Sequence, residues 1–269
     1  MALEGVATAE GGAIAFHCLD AAKLAALPSK GPELGDRISW GRLLLPDLLP
    51  SVARIVYLDS DTLVRESLSE LWDTPLGENP VAAVANVIEP IMRPYVLSLG
   101  LDSHADYFNA GVLVMNLDQM RAESTLDLVT RYVHARTHEF VWFDQDALNV
   151  TFAGRWSRLH PRWNAMNSFW TWTQWAIETH GAQNIHEAMA QPGILHFEGP
   201  EICKPWHYLS EHPFRKDYRR ELASTPWRSS APVGRSTSTR LIHLLPRRVR
   251  VPAYLRMKQA RNTPRRELS

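Results

Sequence analysis

Apolar residues in this chain gather in short unbroken runs, separated by longer stretches of mixed polarity. Ile55-Val56-Tyr57-Leu58, Val81 to Ala85, Phe108 to Leu117, Trp156 to Leu159 and Gly193 to Phe197 have the length and the β-branched or aromatic content of strands. Ala13 to Leu19 reads as one more short buried strand. The continuous apolar character of 55–58 is the pattern of a strand covered on both faces. Between the runs the period becomes helical. Helices are predicted for Asp20 to Leu27, for Ser39 to Leu45 with Pro46 as its stop, and for Leu63 to Leu76 through Leu68, Leu71 and Trp72. Asp118 to Thr137 carries Leu126, Val129, Tyr132 and Val133 on one face, and Asp144 to Phe152 begins another helix. Residues 1–12 are small and Gly- and Ala-rich, and are expected to fray; 28–35 and 86–106 read as connections, and 161–192 as Trp-rich and irregular. Strands alternating with helices predict an α/β domain, a mostly parallel sheet flanked by helices.

Polar clusters stand where several apolar runs end: Asp59 with Asp61, Asn109-Ala110-Gly111, Asp144-Gln145-Asp146, and His196 followed by Gly199 and Lys204. In an open α/β sheet such strand ends converge on the crevice where ligands bind. Two carboxylates one residue apart repel each other, and a hard cation with oxygen ligands, Mg²⁺ or Mn²⁺, relieves that. Each cluster taken singly also has a plainer reading. Asp59 and Asp61 could end a strand at the surface, Asp144 could cap a helix with Asp146 in its first turn, Gly111 could be a close-packing point, and His196 and Lys204 could be a strand-end imidazole and a solvated charge.

At 269 residues with 45% hydrophobic and 22% charged content, the chain has the composition of a globular protein with a real core. Its zero net charge hides an asymmetry. From Arg235 onward there are 10 basic residues and 1 acidic one, a balance of +9; subtracted from totals of 29 and 29, this leaves 19 basic and 28 acidic residues before it, a balance of −9. Residues 241–258 interleave Leu241, Ile242, Leu244, Leu245, Val249, Val251, Tyr254 and Leu255 with Arg247, Arg248, Arg250, Arg256 and Lys258, which suits an anionic bilayer surface; a tail folded back on the acidic body is the other reading. Pro246 and Pro252 are expected to break this tail into short pieces. No nucleic-acid motif accompanies it. Only Cys18 and Cys203 are present, without zinc-type spacing, which fits a reducing, cytoplasmic setting. No run approaches a membrane span, and no secretory signal pattern opens the chain.

Taken together, five motifs in order resemble glycosyltransferase family 8: Arg42 to Pro50, Tyr57-Leu58-Asp59-Ser60-Asp61, Phe108-Asn109-Ala110-Gly111-Val112, Asp144-Gln145-Asp146-Ala147-Leu148-Asn149, and His196-Phe197 through Gly199 to Lys204-Pro205-Trp206. The resemblance runs from about residue 13 to 228, with 229–269 as a basic tail, and implies a GT-A fold and a retaining, metal-dependent enzyme using nucleotide sugars. On that resemblance Asp59, Asp61 and His196 would hold Mn²⁺ (or Mg²⁺) against the diphosphate of a UDP-sugar, and Arg42 would lie near the nucleotide. Asn109, Ala110 and Gly111 would line the sugar pocket, Asp144 would bind a sugar hydroxyl, and Gln145 would sit beneath the anomeric carbon. Gly199 and Lys204 would contact the diphosphate.

The implied reaction moves a hexose to a glycan or glycolipid, as in lipopolysaccharide or polysaccharide synthesis, with the enzyme cytoplasmic or peripheral to the inner face of the membrane. The chain departs from the family in two places. The family's opening base-binding strand has no counterpart before Ala13, which predicts exposed ladder edges, and the loop from His196 to Lys204 is longer. An inactive, truncated relative acting as a binding protein and a nucleotide-sugar hydrolase are the competing readings. Trp163, Trp170, Trp172 and Trp175 are either an acceptor platform or core.

Overall fold

The computed structural model describes residues 2–25, 27, 34–136 and 140–262. The chain divides into two compact units, Ala15–His196 and a second made of Met1–Ile14 with Phe197–Ser269.

Among the described residues the first unit holds seven strands: β1 (Arg54–Leu58), β2 (Thr62–Val64), β3 (Val81–Ala85), β4 (Phe108–Asn116), β5 (Trp156–Arg158), β6 (Ala165–Met166) and β7 (Ile194–His196). They form two sheets, ordered β1-β4-β3-β5 and β2-β7-β6. The nine-residue β4, buried in all but its last position, centres the larger sheet. Its apolar run packs with Val81 and Ala83 of β3 and with Trp40, Leu43, Leu44, Leu117 and Phe152 in one core. Removing these side chains from water is the main favourable contribution to the fold.

The α/β class is as expected, but the sheets are mixed rather than mostly parallel. β4 runs antiparallel to β1 and β3, and β7 antiparallel to β2, against two parallel pairings, β3 with β5 and β6 with β7. Strand–helix alternation signals layered α/β packing without fixing the direction of each return, and the long connection 86–107 brings β4 back beside β3 the opposite way. β1 is half-buried along its length, not covered on both faces, because it lies at the edge of its sheet.

Other expectations change for equally local reasons. Ala13 to Leu19 forms no strand, and Ile14 and Phe16 stay exposed; an apolar run becomes a strand only where a ladder partner meets it. Residues 2–9 make a short helix, Ala2–Ala9, in place of a frayed end. A 3₁₀ helix spans Leu34–Leu44, and Pro46 lies in the first turn of the helix Leu45–Leu48, where its missing N–H costs nothing, so it starts a turn instead of ending one. The predicted helix from Leu63 shrinks to Ser69–Trp72 because Thr62, Leu63 and Val64 pair with β7. The long helix after Asp118 is two, Leu117–Ala122 and Thr125–Arg136, parted at Ser124, whose φ is 50°. Residues 161–192 are largely helical: Pro161–Asn164, Ser168–Thr171, Thr173–His180 and Ala182–Ala190 follow one another. Thr137 and the predicted loop at 28–33 lie outside the described residues.

The second unit has a small core of Ile202, Leu209, Ile242 and Tyr254. Its helix Arg247–Asn262 carries Pro252 inside, so only Pro246 breaks the tail. The proline removes one backbone hydrogen bond, and the helix is held instead by buried Tyr254 and by ion pairs of Arg250 with Glu211 (2.6 Å) and Lys258 with Glu201 (2.9 Å). No described helix is long and apolar enough to cross a membrane. Cys18 and Cys203 are both free thiols.

Candidate active site

The end of β1 is shaped by a turn. The Asp59 N–H donates to the Gly111 carbonyl at 2.8 Å, extending the β1–β4 pairing by one residue. The Thr62 N–H and Oγ1 then both donate to the Asp59 carbonyl, at 3.2 and 2.8 Å, turning the chain out of the larger sheet and into β2. Because β2 pairs Thr62 with His196 of β7, the imidazole comes to the same place as the two carboxylates. Its Nε2 lies 3.3 Å from Asp61 Oδ1 and 3.9 Å from Asp59 Oδ2. All three ligand atoms fall within 4.8 Å of one another.

The second oxygen of Asp59 is committed elsewhere. Oδ1 accepts from Arg42 Nη2 at 2.9 Å and from the Tyr57 hydroxyl at 2.7 Å, leaving Oδ2 toward the histidine. Burial pushes the Tyr57 hydroxyl well above its ordinary pKa, so it keeps the proton it donates.

Hydrogen-bond polarity fixes the histidine too. The Gly111 N–H donates to Asn109 Oδ1 at 2.9 Å, making that atom the carbonyl oxygen, and Asn164 Nδ2 donates to the same oxygen at 2.8 Å. Asn164 therefore turns its own Oδ1 toward His196 Nδ1, 2.9 Å away, which must be the N–H. In the neutral imidazole, Nε2 is then a lone pair aimed at two carboxylates. Three electron-rich atoms converging in this way repel one another unless a cation or a proton lies among them. Carboxylate oxygens with one imidazole nitrogen suit Mn²⁺ or Mg²⁺, and an imidazole held through its other nitrogen is a recurrent support of metal ligands. The residues fit a divalent ion. Gly111 has a part in this, since a Cβ there would stand 2.1 Å from His196 Cε1.

Beside the trio lies a cavity of about 370 Å³ lined by Ser39, Arg42, Asp59, Ala110 and the segment Val141 to Gln145. Arg42 is 5% exposed. It bonds Asp59, reaches Asp144 Oδ2 at 3.2 Å, donates to the carbonyls of Ala110 and of Ser39, and lies over the Tyr57 ring at 4.6 Å. Burial acts to lower the guanidinium pKa, but Asp144 and then Asp59 outweigh it and hold it above the ordinary value. One buried cation thus ties the metal-candidate carboxylate to the carboxylate at the mouth of the helix Asp144–Thr151. That helix is zipped to β4 in register. Asn149 exchanges bonds with both the N–H (2.6 Å) and the C=O (2.9 Å) of Phe108, and Gln145 Oε1 accepts from the Ala110 N–H at 3.0 Å. Four helical residues rise about 6 Å and two strand residues about 6.6 Å, so the pairs 145/149 and 110/108 match.

Asp59, Asp61, His196, Arg42, Asn109, Ala110, Gly111, Asp144 and Gln145 are thus gathered in the first unit, while Gly199 and Lys204 belong to the second. There Gly199 has a φ of 86°, and the Lys204 ammonium lies 6.0 Å from the Trp206 ring centre. Among the Trp-rich residues, Trp163 is core, whereas Trp170, Trp172 and Trp175 are half-buried. Sequence reasoning missed Asn164, Tyr57, Tyr107 and the loop Val141 to Phe143. Asn164 left a readable signal: a lone amide between Trp163 and Ala165-Met166 must find partners if that run is buried.

Mixed sheets with two carboxylates at the turn after the edge strand β1 place the chain in the GT-A class of glycosyltransferase folds. The galactosyltransferase LgtC, solved with donor and acceptor sugar analogues, matches at a TM-score of 0.71 and 26% identity, over 84% of this chain and 80% of its own. Within that class the chain belongs to glycosyl transferase family 8, whose profile matches residues 16–210. General stress protein A of Bacillus subtilis is 30% identical over 195 residues, covering 71% of this chain and 66% of that protein. Lipopolysaccharide 1,2-glucosyltransferase of Escherichia coli K12 is 26% identical over 222 residues, covering 81% and 63%. The chain spans from about two fifths to two thirds of the length of the curated relatives it matches.

Proposed function

We propose that the protein is a retaining, metal-dependent glycosyltransferase that moves a hexose from a UDP-sugar to a glycan or glycolipid acceptor. The observation that carries this reading is the Asp59–Asp61–His196 trio, with its oriented imidazole lone pair, opening beside the Arg42–Asp144–Gln145 cavity. A divalent ion held by the trio supplies positive charge where the departing diphosphate accumulates negative charge. Arg42 holds Asp59 and Asp144 in place. Asp144 binds a sugar hydroxyl, Asn109, Ala110 and Gly111 border the donor sugar, and Gly199 and Lys204 contact the diphosphate. Gln145 presents its amide to the anomeric carbon. An amide is a poor nucleophile, so retention follows a same-face route: the acceptor oxygen bonds to the anomeric carbon as the diphosphate leaves, and a diphosphate oxygen takes the acceptor's proton. The lipopolysaccharide glucosyltransferase among its relatives supports a cell-surface glycan or glycolipid as acceptor. The test is UDP release from UDP-glucose and UDP-galactose by the full chain, with Mn²⁺ and after chelation. Expected is turnover of one donor that chelation abolishes; turnover indifferent to chelation, or none with either donor, contradicts the proposal.

The tail supports a peripheral place on the inner membrane face. Ile242 and Tyr254 turn into the small core, but other apolar residues stay on the surface, Leu244 at 79% exposure and Val251 and Leu255 less so. Val251 and Leu255 share a helix face with Arg248, the mixture that anionic lipid attracts. Co-sedimentation with anionic vesicles should fall for Leu244→Glu/Val251→Glu and stay low with neutral lipid. Equal sedimentation of both proteins contradicts the contact.

A further inference from the structure

Asp146 is one residue past Gln145 and fully buried. Its carboxylate meets four donors. Oδ2 accepts from the N–H of Val141 (2.9 Å), the N–H of Trp142 (2.6 Å) and the Tyr95 hydroxyl (2.7 Å), and Oδ1 accepts from the Tyr107 hydroxyl at 2.6 Å. Burial holds the Asp146 carboxyl above its ordinary value, and those four bonds offset part of that rise. The two backbone amides and the Tyr95 hydroxyl meet Oδ2 and the Tyr107 hydroxyl meets Oδ1, so with both oxygens accepting the carboxylate is the form this cage fits. Burial first, and Asp146 second, drive the Tyr107 hydroxyl well above its ordinary pKa, so it remains a phenol with one proton to give.

That proton goes to Asp146. The Tyr107 oxygen can then only accept from its other neighbour, the Gln145 side chain, 3.2 Å away. Gln145 must turn its NH₂ to Tyr107 and its carbonyl oxygen to the Ala110 N–H. An amide's two ends are interchangeable in shape, and only such a chain of donors and acceptors decides which way it faces. Oε1 accepts one bond from Ala110 and keeps a second lone pair.

We infer that Tyr107 and Asp146 are positioning residues that hold the Gln145 amide with its carbonyl oxygen, and not its NH₂, directed into the donor pocket. This rests on the proposed role of Gln145 at the anomeric centre. In a retaining transfer that carbon gains positive charge as the bond to the diphosphate breaks. A carbonyl dipole pointed at it stabilises the transition state, and the reversed amide opposes it. Asp146 also pins the loop that lines the pocket. Phe143 sits at φ 42°, ψ −104°, a conformation costly for a bulky residue, and the two amides just before it are those that Asp146 holds.

Three variants of the full chain test this with the donor that it turns over: Tyr107→Phe, Gln145→Ala, and the two combined. Tyr107→Phe leaves Asp146 three of its donors and removes the acceptor that holds the amide's NH₂, so that the Ala110 N–H is left to orient the amide without it. Expected is a fall in kcat of about tenfold or more with donor KM changed less than about threefold. In the Gln145→Ala background the same substitution should cost nothing further, because there is no amide left to orient. Asp146→Asn is the second probe. Its NH₂ can donate to the Tyr107 oxygen and free the Tyr107 proton to turn toward Gln145, so kcat should fall in a protein that still melts cooperatively. Full activity of Tyr107→Phe beside a crippled Gln145→Ala overturns this inference alone, as does a Tyr107→Phe loss of equal size in both backgrounds. Unchanged turnover in Gln145→Ala overturns the role proposed for Gln145, and this inference with it.

Discussion

Asn164 shows how much a single amide can decide. It accepts from His196 Nδ1 and donates to Asn109, and by doing both it selects the tautomer whose Nε2 lone pair faces Asp59 and Asp61. Asn164→Ala frees the ring to take the other tautomer, and the loss of such a supporting partner typically costs about 10- to 100-fold in metal affinity. Calorimetric titration of the full chain with Mn²⁺ alone should register that loss, and an unchanged affinity would remove Asn164 from the site. Asp59, Asp61 and His196 were legible because charged or polar residues at the tips of apolar runs are costly and need a reason. Asp146 was read as a favourable first-turn charge and does stand in the first turn of its helix, but the cage around it was not foreseen. Its true partners, Tyr95 and Tyr107, are 51 and 39 residues away, and no local pattern announces them. Arg42 was placed by resemblance alone, and the structure adds the reason: a planar, multi-donor cation can bind two carboxylates and two carbonyls at once, which a lysine cannot.

At the scale of elements, the segment 161–192 was the least legible, since aromatic residues serve core and surface alike and its helices are only four to nine residues long. Its helix Thr173–His180 ends on a half-buried histidine packed edge-on to Phe169 at 5.6 Å. Burial lowers the His180 pKa to about 4. The unfolded chain takes up this proton near pH 6.5 and the folded chain only near pH 4, so between those values the unfolded state binds more protons and stability falls as pH falls. The loss approaches roughly 3 kcal/mol at and below pH 4, from about 1.4 kcal/mol per pKa unit. His212 in the second unit, also lowered to about 4 by burial, acts in the same sense. Urea melts from pH 7.5 to 4.5 should show the midpoint falling below pH 6.5, with a shallower fall in His180→Phe. A midpoint flat across that range would mean the ring is solvated. Helices with one clean apolar stripe, such as Thr125–Arg136, were legible apart from the break at Ser124, which needs a left-handed residue that composition does not flag.

For the whole molecule, the layered α/β class could be read from the alternation of runs, but strand direction could not, because it depends on which neighbour each run meets on its return. The order β1-β4-β3-β5 puts the nine-residue β4 inside the sheet and sets Asn109, Ala110 and Gly111 beside the end of β1. The turn at 59–62 then joins the two sheets and brings β7's histidine to the same point. The site is therefore a product of sheet topology as much as of motif. Its central claim, that Asp59, Asp61 and His196 act together as one metal site serving a nucleotide diphosphate, is tested most directly by calorimetry of UDP binding with and without Mn²⁺. The full chain is compared with Asp61→Ala and His196→Ala, their folding checked by thermal melts. Expected is UDP affinity that requires Mn²⁺ in the parent and is lost, together with its Mn²⁺ dependence, in each variant. Mn²⁺-dependent UDP affinity that survives either substitution in a folded protein would contradict the site.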